Sequence, residues 1–426
     1  MTIVFSILFV FTIAYTFVYK RDPISPARIF ILTYSALLAI YCLKFSMFQT
    51  PWSPTTIMIF GGACACFIGG CITVILLGKI AGPQIDFSFK AIKQDLHNDA
   101  ASVDWNHFLM IWLLCTAVFI GIFIWNTLHM GYIPMFAENP GEARITFLED
   151  NIYIGVGWFF GPLSLMMMAE MLIFGKLKGA KLFLSLAIST IVLLLYVTLV
   201  TRYDLIRFVL FAIIIFHYGK RNISLSHMAL LLAAGLILFM GMFLVRTSYD
   251  TLGTLSDMLR MRMPPGLGWA GSIYSYAVCS FWNLDYVVQK YVEGVGSYPL
   301  GFGYELFSWF LFFTQLQGPF VAMFGFDTIY NESAVKVSGY NTINFVWPFF
   351  KDFGVVGVFL LPLLFGLLIS FFYANTMKKP TVFRIALWSL FAPCILLSFH
   401  SALWEYWFLY MNIFFFMLAH KKLTLT

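Results

Sequence analysis

Eleven runs of apolar residues, each of about the length that crosses a bilayer, constrain this chain more than anything else in it. They lie near residues 1–19, 28–46, 55–78, 108–127, 154–174, 182–199, 205–218, 226–245, 352–373, 384–402 and 404–419. A helix needs roughly 17 to 25 apolar residues to span the hydrocarbon core. In lipid every backbone N–H and C=O must be satisfied, and a run of this length does so by forming a helix. With 61% hydrophobic and only 11% charged residues, the chain has no polar stretch long enough for a separate soluble domain. The expectation is one polytopic domain over residues 1–426: an all-α integral membrane protein with about eleven transmembrane helices. The first run follows no cationic segment and precedes no small-residue cleavage site, so it reads as a retained helix rather than a signal peptide.

Orientation follows from the cations. With the N-terminus outside, the inner loops hold Lys20, Arg21, Arg28, Lys79, Lys90, Lys93, Lys176, Lys178, Lys181, Lys220, Arg221, Lys378, Lys379, Arg384, Lys421 and Lys422, which is 16 of the 26 Lys and Arg residues. Positive charge is retained on the cytoplasmic side of short loops, so this orientation is the expected one, with the C-terminus inside. A further apolar run, 304–324, is interrupted by Gln315, Gln317 and Pro319, and a crossing there would put Lys378, Lys379 and Arg384 outside. Residues 246–351 therefore read as one large extracytoplasmic loop whose apolar helices lie on the membrane or fold back into it. A smaller outer loop covers 128–153. The longest inner stretch, 79–107, contains no nucleotide-binding fingerprint.

Chemistry is thus expected outside, where the cations change type. The outer face carries Arg144, Arg202, Arg207, Arg246, Arg260 and Arg262 against four lysines, whereas the inner face carries twelve lysines and four arginines. A guanidinium fork matches phosphate or carboxylate geometry and stays charged when partly desolvated. Arg202 and Arg207 open the seventh run and Arg246 closes the eighth, so the three share a depth and a side. Asp204 and Arg207 are three apart on one helix face, spaced for an ion pair. A lone outer arginine is read most simply as snorkelling to lipid head groups. Six on the disfavoured side point instead to an anionic ligand.

A second dense stretch is 339–357, where Tyr340, Asn341, Asn344, Lys351 and Asp352 precede the ninth run. Asn and Tyr offer neutral donors and acceptors for sugar hydroxyls, and the rings of Tyr340, Phe345 and Trp347 would cover sugar faces. The bland alternative is an amphipathic entry segment with interfacial aromatic residues. His400 and Glu405, in the outer turn HSALWEYW, join the binding set, and His129, Glu138, Glu142 and Glu149 flank Arg144; any of these could serve as a base if placed near a hydroxyl. The seven cysteines lie mostly in apolar runs and form no paired framework, and Cys64 and Cys66 lack the His, Asp or Glu that would complete a metal site. The stretch GGACACFIGG reads as small residues that let helices approach closely.

These stretches, GYIPMF with EAR (142–144), TRYDLIRF, Arg246, GSIYSYAVCSFWNLDYV and YNTINFVWPFFKDFGVVG, taken in that order, resemble the Wzy-type O-antigen polymerases that join oligosaccharide repeat units. The resemblance spans roughly residues 100–375, and its most specific part is the D-F-G-x-x-G at 352–357. It implies a GT-C-like glycosyltransferase of the bacterial inner membrane, with its active site on the extracytoplasmic side. The donor would be a glycan on undecaprenyl diphosphate, the acceptor one lipid-linked repeat unit, and the product a surface polysaccharide such as O-antigen or capsule. A chain-length regulator protein is an implied partner, nucleic acid is not, and no cofactor is implied. Arg202, Arg207 and Arg246, with Asp204, would stabilise the leaving lipid diphosphate, and Arg144, Tyr340, Asn341, Asn344, Lys351, Asp352, His400 and Glu405 would bind substrate. Both Arg202 and Arg207 match the span-opening arginine. No D-x-D pair stands in either outer loop, which favours metal-independent, inverting transfer. The nearest alternative is the O-antigen ligase that moves the same glycan to lipid A-core; a flippase or exporter of lipid-linked sugars, or a scaffold subunit, lies further off, since transporters place charges near the membrane midplane.

Overall fold

The structure, a computed structural model, describes residues 2–18, 22–81, 89–149, 157–175, 177–220, 261–262, 268–293, 300–314, 316–324, 342–400 and 407–421. Among these residues all regular structure is helical, apart from isolated bridge positions such as the antiparallel pair Ser46 and Met261. Ten of the eleven apolar runs carry helices: α1 (Thr2–Val18), α2 (Pro26–Tyr41), α3 (Pro54–Ala81), α5 (Trp105–Met130), α7 (Phe160–Phe174), α8 (Gly179–Thr198), α9 (Arg202–Gly219), α13 (Val346–Lys378), α14 (Val382–Leu396) and α15 (Trp407–Ala419). The run 226–245 lies outside the described residues. Four helical stretches, 54–78, 105–136, 179–198 and 346–378, are by themselves long and apolar enough to cross a membrane. The described residues are therefore those of an all-α protein built from apolar helices, as a membrane protein requires.

The connecting segments are helical too. Helix α4 (Phe89–Ala101) occupies the 79–107 stretch, and α6 (Pro140–Glu149) follows a 3₁₀ turn at Pro134–Phe136. The run 304–324 is broken into α11 (Ser308–Phe313) and α12 (Gln317–Phe324), each far too short to cross a bilayer. Helix α10 (Gly268–Val288), continued by a π turn over Gln289–Glu293, packs on α2 and α3. Its Val278, Cys279, Phe281, Trp282, Leu284, Val287 and Val288 are all buried, so this helix is a core element where its place in the 246–351 stretch argued for one lying on the membrane.

The chain divides into two compact units. The first comprises residues 1–86, 252–375 and 394–409. At its centre Phe30, Tyr34, Phe60, Phe281 and Phe345 meet ring to ring. Asp285 of α10 caps α3, its Oδ1 accepting from Ser53 N at 3.2 Å and Thr56 Oγ1 at 2.7 Å. The small-residue stretch of α3 does let backbones meet: a Cβ on Gly70 would lie 2.3 Å from the Leu363 carbonyl oxygen of α13.

The second unit comprises residues 87–251, 376–393 and 410–426. Helix α7 packs on α5, α8 and α9. Asp104 caps α5, accepting from Asn106 N and His107 N, and Gly131 ends it in the left-handed region at φ 74°. One aromatic core, Phe119, Phe123, Phe147, Trp158 and Tyr196 with Leu165, Val192 and Leu199, joins α5, α6, α7 and α8. The C-terminal end is held by His420, whose Nε2 lies 2.6 Å from Glu170 Oε1 of α7.

Candidate functional site

The apolar helices α8 and α9 are joined by three residues, Leu199, Val200 and Thr201. Leu199 N and Val200 N donate back to the carbonyls of Tyr196 and Val197 at 3.1 and 3.0 Å, tightening the end of α8. The turn is completed by Val200 at φ 56°, a left-handed conformation that a β-branched side chain adopts only under strain. Such strain persists only where surrounding structure imposes it; here the Val200 side chain is buried.

This turn delivers three charged residues to the start of α9. Arg202 takes the first helical position, where exposed N–H groups and the helix dipole disfavour a cation; its side chain lies outside the described residues. Asp204 is in the first turn, where a carboxylate is favoured. Arg207, one turn further, is only 5% exposed. Its Nη1 lies 3.4 Å from Asp204 Oδ1, the pair that the spacing predicts. The other oxygen of Asp204 accepts from the Tyr196 hydroxyl of α8 at 2.9 Å. The turn thus gathers a buried arginine, a partly exposed aspartate and a tyrosine hydroxyl into one bonded group at the end of an apolar helix pair.

Arg144 stands on α6 in the same unit. Tyr132 Oη donates to the Ala143 carbonyl at 3.2 Å and Asn126 Nδ2 to the Phe147 carbonyl at 2.6 Å, which ties α6 to α5. Phe147 enters the aromatic core, and Phe208 of α9 packs against the same core, so the elements carrying Arg144 and Arg207 meet there. Arg246 lies outside the described residues.

The other expected site residues are in the first unit and are engaged differently. Asn344 is fully buried and caps α13, its Oδ1 accepting from Val346 N at 3.2 Å. Asp352, 1% exposed, accepts from Glu305 N at 3.0 Å and Leu306 N at 2.8 Å. The carbonyls of Lys351 and Asp352 take Gly301 N and Phe302 N, and Lys351 Nζ pairs with the Glu305 carboxylate. Residues 351–352 are thus a clamp on the 301–306 turn. Two residues on, Gly354 breaks the regularity of α13 with φ 60° and ψ −151°, a region open essentially to glycine alone. A Cβ on Gly357 would sit 2.5 Å from the Phe349 carbonyl oxygen. Clamp, kink and close approach account for Asp352, Gly354 and Gly357 of the D-F-G-x-x-G pattern.

His400 is half-buried beside Ser398, whose carbonyl accepts Phe345 N at 2.9 Å, so His400 and Asn344 flank one junction. Tyr340, Asn341 and Glu405 lie outside the described residues. The rings of Phe345 and Trp347, expected to cover sugar faces, are core instead: Phe345 packs on Phe30 and Tyr34, and Trp347 stacks on Tyr291 and Phe350.

Two participants escaped the sequence reading. Glu305 carried a signal, being the only charged residue between Glu293 and Asp327, and a lone charge in an apolar run needs a partner. Tyr196 carried none, because a tyrosine near the end of an apolar run reads as an interfacial ring. Among the described residues no three His, Cys, Asp or Glu side chains gather as metal ligands. Comparison with family models, with curated proteins and with solved structures finds no match to this chain.

Proposed function

We propose that this protein is a membrane glycosyltransferase that polymerises oligosaccharide repeat units carried on undecaprenyl diphosphate, as the Wzy-type enzymes it resembles do. In this reading about eleven spans in a GT-C-like arrangement hold the site on the extracytoplasmic side of a bacterial inner membrane. The acceptor's terminal hydroxyl attacks the donor's anomeric carbon. The bond from that carbon to the diphosphate oxygen breaks, the hydroxyl proton passes to a base, and undecaprenyl diphosphate leaves. Transition-state charge therefore develops on the diphosphate, where preorganised cations lower the barrier most.

The observation that supports this is the α8–α9 turn: Arg207 buried at the end of an apolar helix pair, with Arg202 opening the same helix and Arg144 on an element seated in the same core. Structural snorkelling would leave an arginine exposed along the lipid boundary. Burial costs several kcal/mol per ion on an order-of-magnitude scale and is tolerated for a partner.

The test is incubation of the purified protein with undecaprenyl-diphosphate-linked repeat units, in excess chelator. A ladder of lipid-linked chains of increasing length is expected, and no ladder, or a single transfer to an added lipid acceptor, overturns the polymerase reading. Orientation is checked by introducing cysteines near 145, 290 and 330, expected to react from outside, and near 178, 220 and 379, expected to react only from inside. Labelling near 330 from the inside overturns the arrangement.

A further inference from the structure

Residues 301–324 turn apolar side chains outward and polar groups inward. Phe302 is 61% exposed, Phe307 52%, Leu316 47% and Met323 80%. Facing water, so dense an apolar surface is an association hazard. The backbone, meanwhile, is satisfied without water. Gly301 N and Phe302 N donate to the carbonyls of Lys351 and Asp352, and Glu305 N and Leu306 N to the Asp352 carboxylate. Further along, the N–H groups of Tyr304, Phe307, Phe310, Leu311, Thr314 and Leu316 all donate to carbonyls within the segment. The Thr314 hydroxyl turns back to the Phe310 carbonyl at 2.8 Å, and Lys351 neutralises Glu305, the only charged residue between Glu293 and Asp327. Irregular backbone is tolerated in hydrocarbon only where the protein itself satisfies it.

The segment is docked where a span begins. Beyond the kink at Gly354, α13 runs to Lys378 without a charge, about the length that crosses a bilayer. A Cβ on Gly303 would lie 3.7 Å from the Phe353 ring and one on Gly354 3.4 Å from Leu300 Cδ2, so the 300–303 turn rests on the kink. Val355 and Val356, the next residues of α13, are themselves exposed, and the outward face of the turn adjoins the face that α13 shows to lipid. Helices α11 and α12, which pack on each other, are each too short to cross.

We propose that residues 302–324 form a helical hairpin seated in the leaflet at the Gly354 end of α13, with the upper acyl chains of phospholipid as the partner of its apolar surface. The Asp352 clamp is what permits this position: it takes up two N–H groups of the turn that lipid could not satisfy. The inference needs only that the chain spans a membrane, so it stands or falls separately from the transferase reading.

The test photolabels the unmodified full chain in phosphatidylethanolamine–phosphatidylglycerol nanodiscs. One sample carries a phospholipid with a diazirine in the upper part of its acyl chain, the other a water-soluble diazirine, and adducts are mapped by peptide. Peptides over 302–324 are expected to take lipid label at a density like that of 355–360 on α13 and several-fold less aqueous label, with α4 taking the aqueous label in the same sample. Aqueous label on 302–324 equal to or above its lipid label overturns the proposal, because the face then meets water. Label from neither source also overturns it, because a second copy or another protein then covers the face.

Discussion

The α8–α9 turn and the start of α13 each set an aspartate, an arginine or lysine and aromatic rings into an apolar chain, yet the two use their carboxylates in opposite ways. Asp352 is 1% exposed and both of its oxygens receive backbone N–H groups, at 3.0 and 2.8 Å. Asp204 keeps 30% of its side chain exposed and holds its cation only at 3.4 Å. A buried carboxylate saturated by backbone donors is fixing a turn, because any ligand would have to displace bonds that nothing else can replace. Asp204 is instead partly exposed and is met by side chains, the Tyr196 hydroxyl and the Arg207 guanidinium. Both stretches carried the same residue types in sequence; burial and the source of their hydrogen bonds, backbone for Asp352 and side chain for Asp204, separate the two carboxylates.

The largest expected effect separates the two aspartates' partners. Arg207→Ala is expected to slow chain building about 100- to 1,000-fold, the loss typical of removing one oxyanion-type donor. Arg207→Lys should recover little of it, since the ammonium keeps the charge but not the fork. Ladder formation at equal amounts of folded protein measures both, and wild-type rates in either variant remove Arg207 from the site. Lys351→Ala, by contrast, should act through the 301–306 turn.

Next in size is the clamp itself. Asp352→Ala leaves the Glu305 and Leu306 N–H groups without their acceptor, and at roughly 1 to 3 kcal/mol for each unsatisfied buried donor the loss is about 2 to 6 kcal/mol. Thermal unfolding in detergent should show a large drop in melting temperature, with Asp352→Asn in between because one oxygen acceptor remains. A stable Asp352→Ala protein would return this residue to the list of substrate ligands.

Gly354→Ala tests the kink beside that clamp. The nearest neighbour of an added Cβ is Leu300 Cδ2 at 3.4 Å, an ordinary contact, so the cost is one of backbone conformation. About 1 to 3 kcal/mol of destabilisation is expected from placing a side chain at φ 60° and ψ −151°. An unchanged melting temperature would mean that α13 straightens there without penalty.

The smallest effect extends the comparison to a third charged pair. Burial alone would lower the His420 imidazole, but the Glu170 carboxylate, by charge and hydrogen bond, with the Phe416 carbonyl and Asp99, raises it above its ordinary value. A group whose folded value is raised stabilises the protein fully below its unfolded value, about 6.5, and loses that contribution as pH rises through the folded value. The melting temperature should therefore decline modestly from mildly acid to alkaline pH, and His420→Gln should flatten that part of the profile. An identical slope in the variant would assign the decline to other groups.

The residues themselves determine the helical class, because runs of this apolarity and length have no other way to satisfy their backbones. They also fix the tight α8–α9 junction, since the apolar runs on either side of TRYDLIRF leave no residues for a longer loop, and the Asp204–Arg207 pair, since three-residue spacing places both on one face. The close approach of α3 through Gly62 and Gly70 was legible for the same local reason. What the sequence could not decide was which polar residues are already committed. Asp352 is taken up by N–H groups 46 and 47 residues away, Glu305 meets Lys351 across 46 residues, and 268–288 is a buried helix where position in an outer loop argued for a surface one. Each of these depends on pairings distant along the chain, and local pattern carries no information about them. Only tertiary packing, which gives both oxygens of Asp352 backbone N–H donors and leaves Asp204 partly exposed between the Tyr196 hydroxyl and Arg207, decides which of two similar carboxylates fixes a turn.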